Sequence, residues 1–248
     1  MAHITVQTDV PLDEPVLVEG LPGVGLVGKI ATDHVVDQLS MTYYASVTCE
    51  GLPRIAVYGE SGREVRPPVR LYADAEHDLV ALQSDVPISR TAAGDFASCL
   101  TGWLADHDAL PLYLSGLPVE EQDVAGVPSL YGIATGTAGD LLDEYDVATP
   151  TEMGVVGGPT GALLNHAAES DLDAVGLVVE SDPRFPDPAA ARKLIVDGIN
   201  PLAGIDVTTD DLVERAEEIS EQKAELAKRM HEAEEKESSQ AQPLRMFQ

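Results

Sequence analysis

Gly23, Gly25 and Gly28 stand at the spacing G-x-G-x-x-G, and Gly23 through Lys29 also fit G-x-x-x-x-G-K. The first pattern lets a backbone approach a pyrophosphate at a helix N-terminus; the second wraps phosphates in amides and a lysine. The second is incomplete, because Ile30 follows the lysine and has no hydroxyl to offer Mg²⁺. The first calls for an acidic side chain about 20 residues on, at the end of the next strand. Glu50, directly after the strand-like YYASVTC, stands near that place. A tight packing turn that binds nothing accounts for the same glycines. On the residues alone both readings stand.

Other reactive groupings are sparse. No serine sits in G-x-S-x-G. The six histidines (His3, His34, His77, His107, His166, His231) form no i, i+4 pair and no H-E-x-x-H, which argues against zinc. His34 and His166 each lie early in a helix after a glycine turn, with Asn165 beside the second. They would flank a small anion only if both turns faced one cleft. Cys49 and Cys99 lack ligand spacing and read as small core residues. No catalytic residue, metal or cofactor is assigned, and no carboxylate pair stands out against so acidic a background.

The elements that must position these groups follow from periodicity. Val16–Val18 is a short apolar run between Pro15 and Gly20, hence a buried strand; Ile30, Val35, Val36 and Leu39 then recur at helical spacing. Tyr43 to Cys49 and Arg54 to Tyr58 read as strands. Val65 to Tyr72 carries Pro67 and Pro68 and reads as an edge or bulged strand. Asp78 to Gln83, Leu112 to Leu114, Ser129 to Ala134 and Val175 to Glu180 are further strands. Helices are expected over Thr91 to His107, with Trp103 on the apolar stripe, over Thr137 to Tyr145 and over Ala189 to Ile199; Glu120 to Asp123 reads as a surface loop. Met153 to Ser170 repeats the opening plan of strand, glycine turn (Gly157-Gly158) and helix. Two such units predict an α/β fold with a mostly parallel sheet covered by helices.

Forty-three acidic residues face 15 basic ones, a formal charge of −28 over 248 residues. Such a surface repels phosphate backbones and anionic lipid, so neither nucleic acid nor a membrane is an expected partner. Acidic residues are spread along the whole chain, aromatics are few and small residues abundant. That is the pattern of a protein adapted to molar salt, where screening acts within about 3 Å. No apolar run approaches the length of a membrane span and MAHITVQTDV has no leader character; a cytoplasmic location is expected.

A last helix is expected from Thr208, where Thr208-x-x-Asp211 has capping-box form, to about Glu237. Leu212, Ile219 and Leu226 recur along it every seven residues. The expected organisation is a globular domain at 1–207, this helix at 208–237 and a tail at 238–248. The polar tether ESSQAQP leads to Leu244, Met246 and Phe247 beside the terminal carboxylate of Gln248. Captured C-termini pair apolar anchors with a bound carboxylate.

EGLPGVGLVGKIATDHVVDQL, GLPRIAVY, DLVALQSDVPI and GVVGGPTGALL, in that order, resemble the proteasome assembly chaperone family in its archaeal and bacterial branch. The resemblance covers roughly Val16 to Pro201. It implies a three-layer α/β/α fold with a mostly parallel or mixed sheet like that of purine nucleoside phosphorylases, used as a non-enzymatic scaffold and built into homo-oligomers. It also implies a partner, the α subunits of the 20S proteasome, reached by a C-terminal hydrophobic–Tyr–any residue motif. Met246 takes the hydrophobic place, Phe247 the Tyr place and Gln248 the last. Phe247 lacks the phenol hydroxyl, a loss on the order of 1 kcal/mol for one hydrogen bond. The contrasting expectation is an enzyme binding a nucleoside or phosphorylated compound in a phosphorylase-like cleft.

Overall fold

Val16, Leu17 and Val18 place β2 (Val16–Gly20) at the middle of an eight-stranded sheet in the computed structural model, which describes residues 3–58, 63–119, 127–214 and 216. The other strands of that sheet are β1 (His3–Val6), β3 (Thr42–Thr48), β6 (Val69–Asp74), β7 (Leu79–Ser84), β8 (Leu110–Pro118), β9 (Leu130–Thr135) and β10 (Ala174–Ser181). Their order is β1-β3-β6-β7-β2-β8-β10-β9. β7, β2, β8 and β10 run parallel, while β9, β6, β3 and β1 each pair antiparallel with their inner neighbour. The sheet is therefore mixed. β4 (Val57–Tyr58) and β5 (Val65–Arg66) form a separate two-stranded ribbon.

Side-chain alternation divides the core in two. On one face α1 (Val27–Gln38) and α5 (Pro188–Leu194) pack Ala31, Val35, Ala190 and Leu194 against Val18, Leu112 and Leu177. On the other face α2 (Arg90–Asp106) and α4 (Gly158–Glu169) pack Phe96, Leu100 and Leu163 against Leu17, Val80, Leu82 and Tyr113. Helix, sheet and helix make the three layers. Unbroken apolar runs in β7 and β10 follow from this, since both faces of the parallel strands are covered. Trp103 lies in the α2 layer, edge-on to Tyr44 at 6.2 Å, as its stripe implied.

Several elements differ from expectation. The Pro67-Pro68 pair precedes β6 and does not lie in it, so β6 pairs on both sides instead of forming an edge. Arg54 to Tyr58 yields only the two residues of β4. Met153 to Val156 is not a strand; β9 already occupies the place beside β10, and Met153 and Val155 are almost fully exposed. The short helix α3 is Gly139–Glu144. The helix expected to Ile199 widens to a π turn over Ile195–Ile199 before α6 (Asn200–Ala203).

The final helix begins at residue 210, where the carbonyl of Thr209 accepts from the amides of Leu212 and Val213. Thr208 is instead turned toward α1: His34 Nε2 donates to its carbonyl at 2.6 Å, and its hydroxyl donates to Gln38 Oε1 at 3.3 Å. Leu212 is buried in the α1-side core. The loop expected over Glu120 to Asp123, the remainder of the last helix and the tail with Met246, Phe247 and Gln248 lie outside the described residues.

Candidate functional site

The carboxyl ends of β7, β2, β8 and β10 converge under the glycine loop, where open α/β sheets usually hold ligands. Here the loop is closed down by protein. Gly25 has φ +60°, and a Cβ there would stand 2.0 Å from Ser181 Oγ at the end of β10. The neighbouring carbonyl of Val24 lies so near Gly116 of β8 that a Cβ on Gly116 would approach it to 2.6 Å. The Gly25 carbonyl accepts from the amide of Asp187 at 2.8 Å. Asp187 in turn accepts from Ser181 Oγ and the Asp182 amide, and caps α5 through the Ala190 amide at 3.0 Å. The turn is thus sealed onto β8, β10 and α5.

Lys29, the lysine of the loop, is held by neighbours. Its Nζ meets Asp33 Oδ2 at 2.9 Å and Asp85 Oδ1 at 3.4 Å. Asp85 also receives Arg70 Nη1 at 2.6 Å, and Gln83 donates to Asp33 Oδ1 at 2.9 Å. Burial raises the Asp33 carboxyl, and Lys29 partly offsets that rise. Two carboxylates balance the two cations, so this network ties α1 to β6 and β7 and leaves no excess positive charge for a phosphate.

Glu19, on β2 behind the loop, is fully buried. Its Oε2 accepts from the Leu114 amide at 2.9 Å, and its Oε1 from Thr160 Oγ1 at 3.0 Å and the Leu21 amide at 3.3 Å. Desolvation outweighs those hydrogen bonds and pushes its pKa up to about 8. Tyr113 lies within its field, with a hydroxyl that meets no partner among the described residues and a pKa raised first by burial, then by Glu19. Glu19 therefore ties β2, β8 and α4 together as a neutral acid. Sequence reading passed over it, although its place two residues from Leu17 put it on the same inward face.

The remaining candidates are not brought together. β6 and β7 separate β3 from β2, which at about 4.8 Å per step puts β3, which ends two residues before Glu50, on the order of 14 Å from the strand that leads into the glycine loop. In a dinucleotide fold β3 would be adjacent. His34 and His166 ride on α1 and α4, on opposite faces of the sheet; His166 Nδ1 lies 3.2 Å from Ser170 Oγ. Cys49 and Cys99 are half-buried, and burial pushes both thiols up. Among the described residues no cluster could hold a metal ion, and no helix is long and apolar enough to cross a membrane.

Comparison with known proteins agrees with this geometry. A profile of the PAC2 family matches residues 17–227. The uncharacterized protein MJ0106 of Methanocaldococcus jannaschii is 28% identical over 220 residues, 88% of this chain and 87% of that protein. Crystal structures add PbaA of Pyrococcus furiosus, described as an archaeal homolog of proteasome-assembly chaperone. It has a TM-score of 0.77 and 25% identity over 94% of this chain and 100% of that one. PbaB of the same organism, described as an archaeal proteasome activator, has a TM-score of 0.74 at 21% identity over 91% and 98% of the two chains.

Proposed function

The chain belongs to the PAC2 family, the proteasome assembly chaperone family its sequence resembles, and from that membership we propose a non-enzymatic, chaperone-like partner of the 20S proteasome. In this reading the three-layer body is a scaffold that forms a homo-oligomer in the cytoplasm of a halophilic archaeon. The last helix carries a tail whose Met246, Phe247 and Gln248 carboxylate dock on the proteasome α-ring. The observation that carries the role is the match over residues 17–227 together with the full-length likeness to PbaA. The tail adds apolar anchors beside a terminal carboxylate. Several tails on one oligomer raise the effective concentration of a weak motif, and apolar burial survives the salt that screens charge.

The sealed glycine loop favours a scaffold over the contrasting enzyme. A nucleoside or phosphate at the carboxyl ends of β2 and β8 would have to displace Val24, Gly25 and the Lys29 pairs. Affinity purification of the full chain from its own cell extract in molar KCl tests the reading. Proteasome α subunits are the expected partner, and their absence would remove it. Calorimetry of the native chain with nucleotides and nucleosides tests the alternative; a ligand bound at micromolar concentration would establish it instead.

A further inference from the structure

The α2–α4 face of the sheet is open near its β9 edge. Alternation turns Tyr131 and Ile133 of β9 and Val178 of β10 to this side, where they stay half-buried beside Leu164 of α4. Together they floor a groove of about 640 Å³. Glu152 and Glu180 are the charged residues that line it, and neither meets a cation among the described residues. Glu180 accepts from two neutral donors, the Ser129 amide at 2.9 Å and Tyr131 Oη at 3.4 Å.

The rim of this groove is a length of unpaired backbone. The Ala148 carbonyl is still tied to β9, accepting from the Gly132 amide at 2.8 Å. From Thr149 to Val156 no backbone amide or carbonyl has a hydrogen-bond partner among the described residues, until the Gly157 carbonyl accepts from Gly161 at the start of α4. The stretch is neither helix nor strand, and Met153 and Val155 on it are 101% and 97% exposed. Backbone groups left unpaired beside an apolar floor are what strand addition uses: main-chain bonds supply affinity, and alternate side chains supply specificity.

We propose that the groove binds an extended segment of another protein in which apolar and basic side chains alternate. The backbone of that segment pairs with the rim between Thr149 and Val156. Its apolar side chains cover Ile133, Leu164 and Val178, and its basic groups lie near Glu152 and Glu180, whose charge is otherwise unanswered. A helical partner satisfies its own main chain and would leave the rim bare, so the unpaired backbone selects an extended one. The contact goes beyond the proposed function and needs neither the tail nor an oligomer.

The probe is a labelled synthetic peptide of about eight alternating valines and lysines, a usual strand length, blocked at both ends. Fluorescence anisotropy with the full chain in molar KCl screens the general attraction of a cation to so acidic a protein. Saturable binding is expected. In a strand the valine amides point to one edge and the lysine amides to the other, so two further peptides carry N-methyl groups on the valines or on the lysines. One or both should bind about tenfold more weakly at unchanged charge. Val155→Lys, at an exposed position, should weaken the parent peptide to a similar degree, with Met153→Lys in its place where thermal unfolding departs from that of the native chain. No saturable binding, as when a second copy already fills the groove, would overturn the proposal. So would equal binding of both methylated peptides, or undiminished binding by the variant. A chain lacking Met246 to Gln248 should bind the peptide as the native chain does; loss there would assign the peptide to the tail and overturn the proposal. Failure of the peptide to bind leaves co-purification of α subunits, the test of the proposed function, unaffected.

Discussion

Thr160 Oγ1 donates to Glu19 Oε1 at 3.0 Å, joining the first turn of α4 to the central strand β2 across 141 residues of sequence. The bond lies behind the glycine loop on the opposite face from α1, so both sides of β2 are fixed where the loop begins.

Burial of the Glu19 carboxyl makes stability depend on pH in a definite sense. Burial raises Glu19 from its ordinary value near 4.5 to about 8 in the folded chain. Below the lower value both states hold the proton; between the two only the folded state does. Each unit of rising pH in that window should therefore remove up to about 1.4 kcal/mol, and the loss is complete once the pH passes the folded value. Urea unfolding at pH 5 and at pH 8 should show the fall in the native chain. Glu19→Gln, whose amide nitrogen can donate to Thr160, should remove this contribution; an equal fall in that variant would contradict the account.

Gly25 is expected to tolerate no side chain. Gly25→Ala places a Cβ at positive φ and against Ser181 Oγ, and left-handed strain with overpacking should cost roughly 2–4 kcal/mol. Removing the hydroxyl with Ser181→Ala in the same chain should recover part of that. Additive losses in the double-mutant cycle would mean the two residues do not meet.

The base of the last helix is held by His34 and Leu212. His34→Ala deletes the donor to the Thr208 carbonyl, and Leu212→Ala empties a buried site, with an expected loss of about 2–5 kcal/mol for the second. Hydrogen exchange over residues 205–214 should accelerate in both variants while β2 and β8 stay protected. Unchanged exchange would show that the helix starts independently of α1.

Much of the architecture was legible because burial on two faces leaves a plain trace. Val16–Val18, Leu79–Leu82 and Val175–Val179 are apolar without interruption, and Phe96, Leu100 and Trp103 keep helical spacing. Misreadings came from competition that no local pattern records. Met153 to Val156 looks like a strand but finds its slot beside β10 taken by β9. Pro67 and Pro68 look like an edge signal, yet they end before β6 starts. The glycine loop was recognisable as a turn, but only the approach of Ser181 and Asp187, more than 150 residues away, shows what fills it. Glu19 was hidden among 43 acidic residues, although strand alternation from Leu17 was a signal that could have singled it out.

We propose that the last three residues, and not the body, make the contact with the proteasome. The most direct test compares the full chain with one lacking Met246 to Gln248 for co-purification of α subunits in molar KCl, with oligomer mass measured on both. The account predicts that binding disappears at unchanged mass; equal recovery of α subunits by the shortened chain would contradict it.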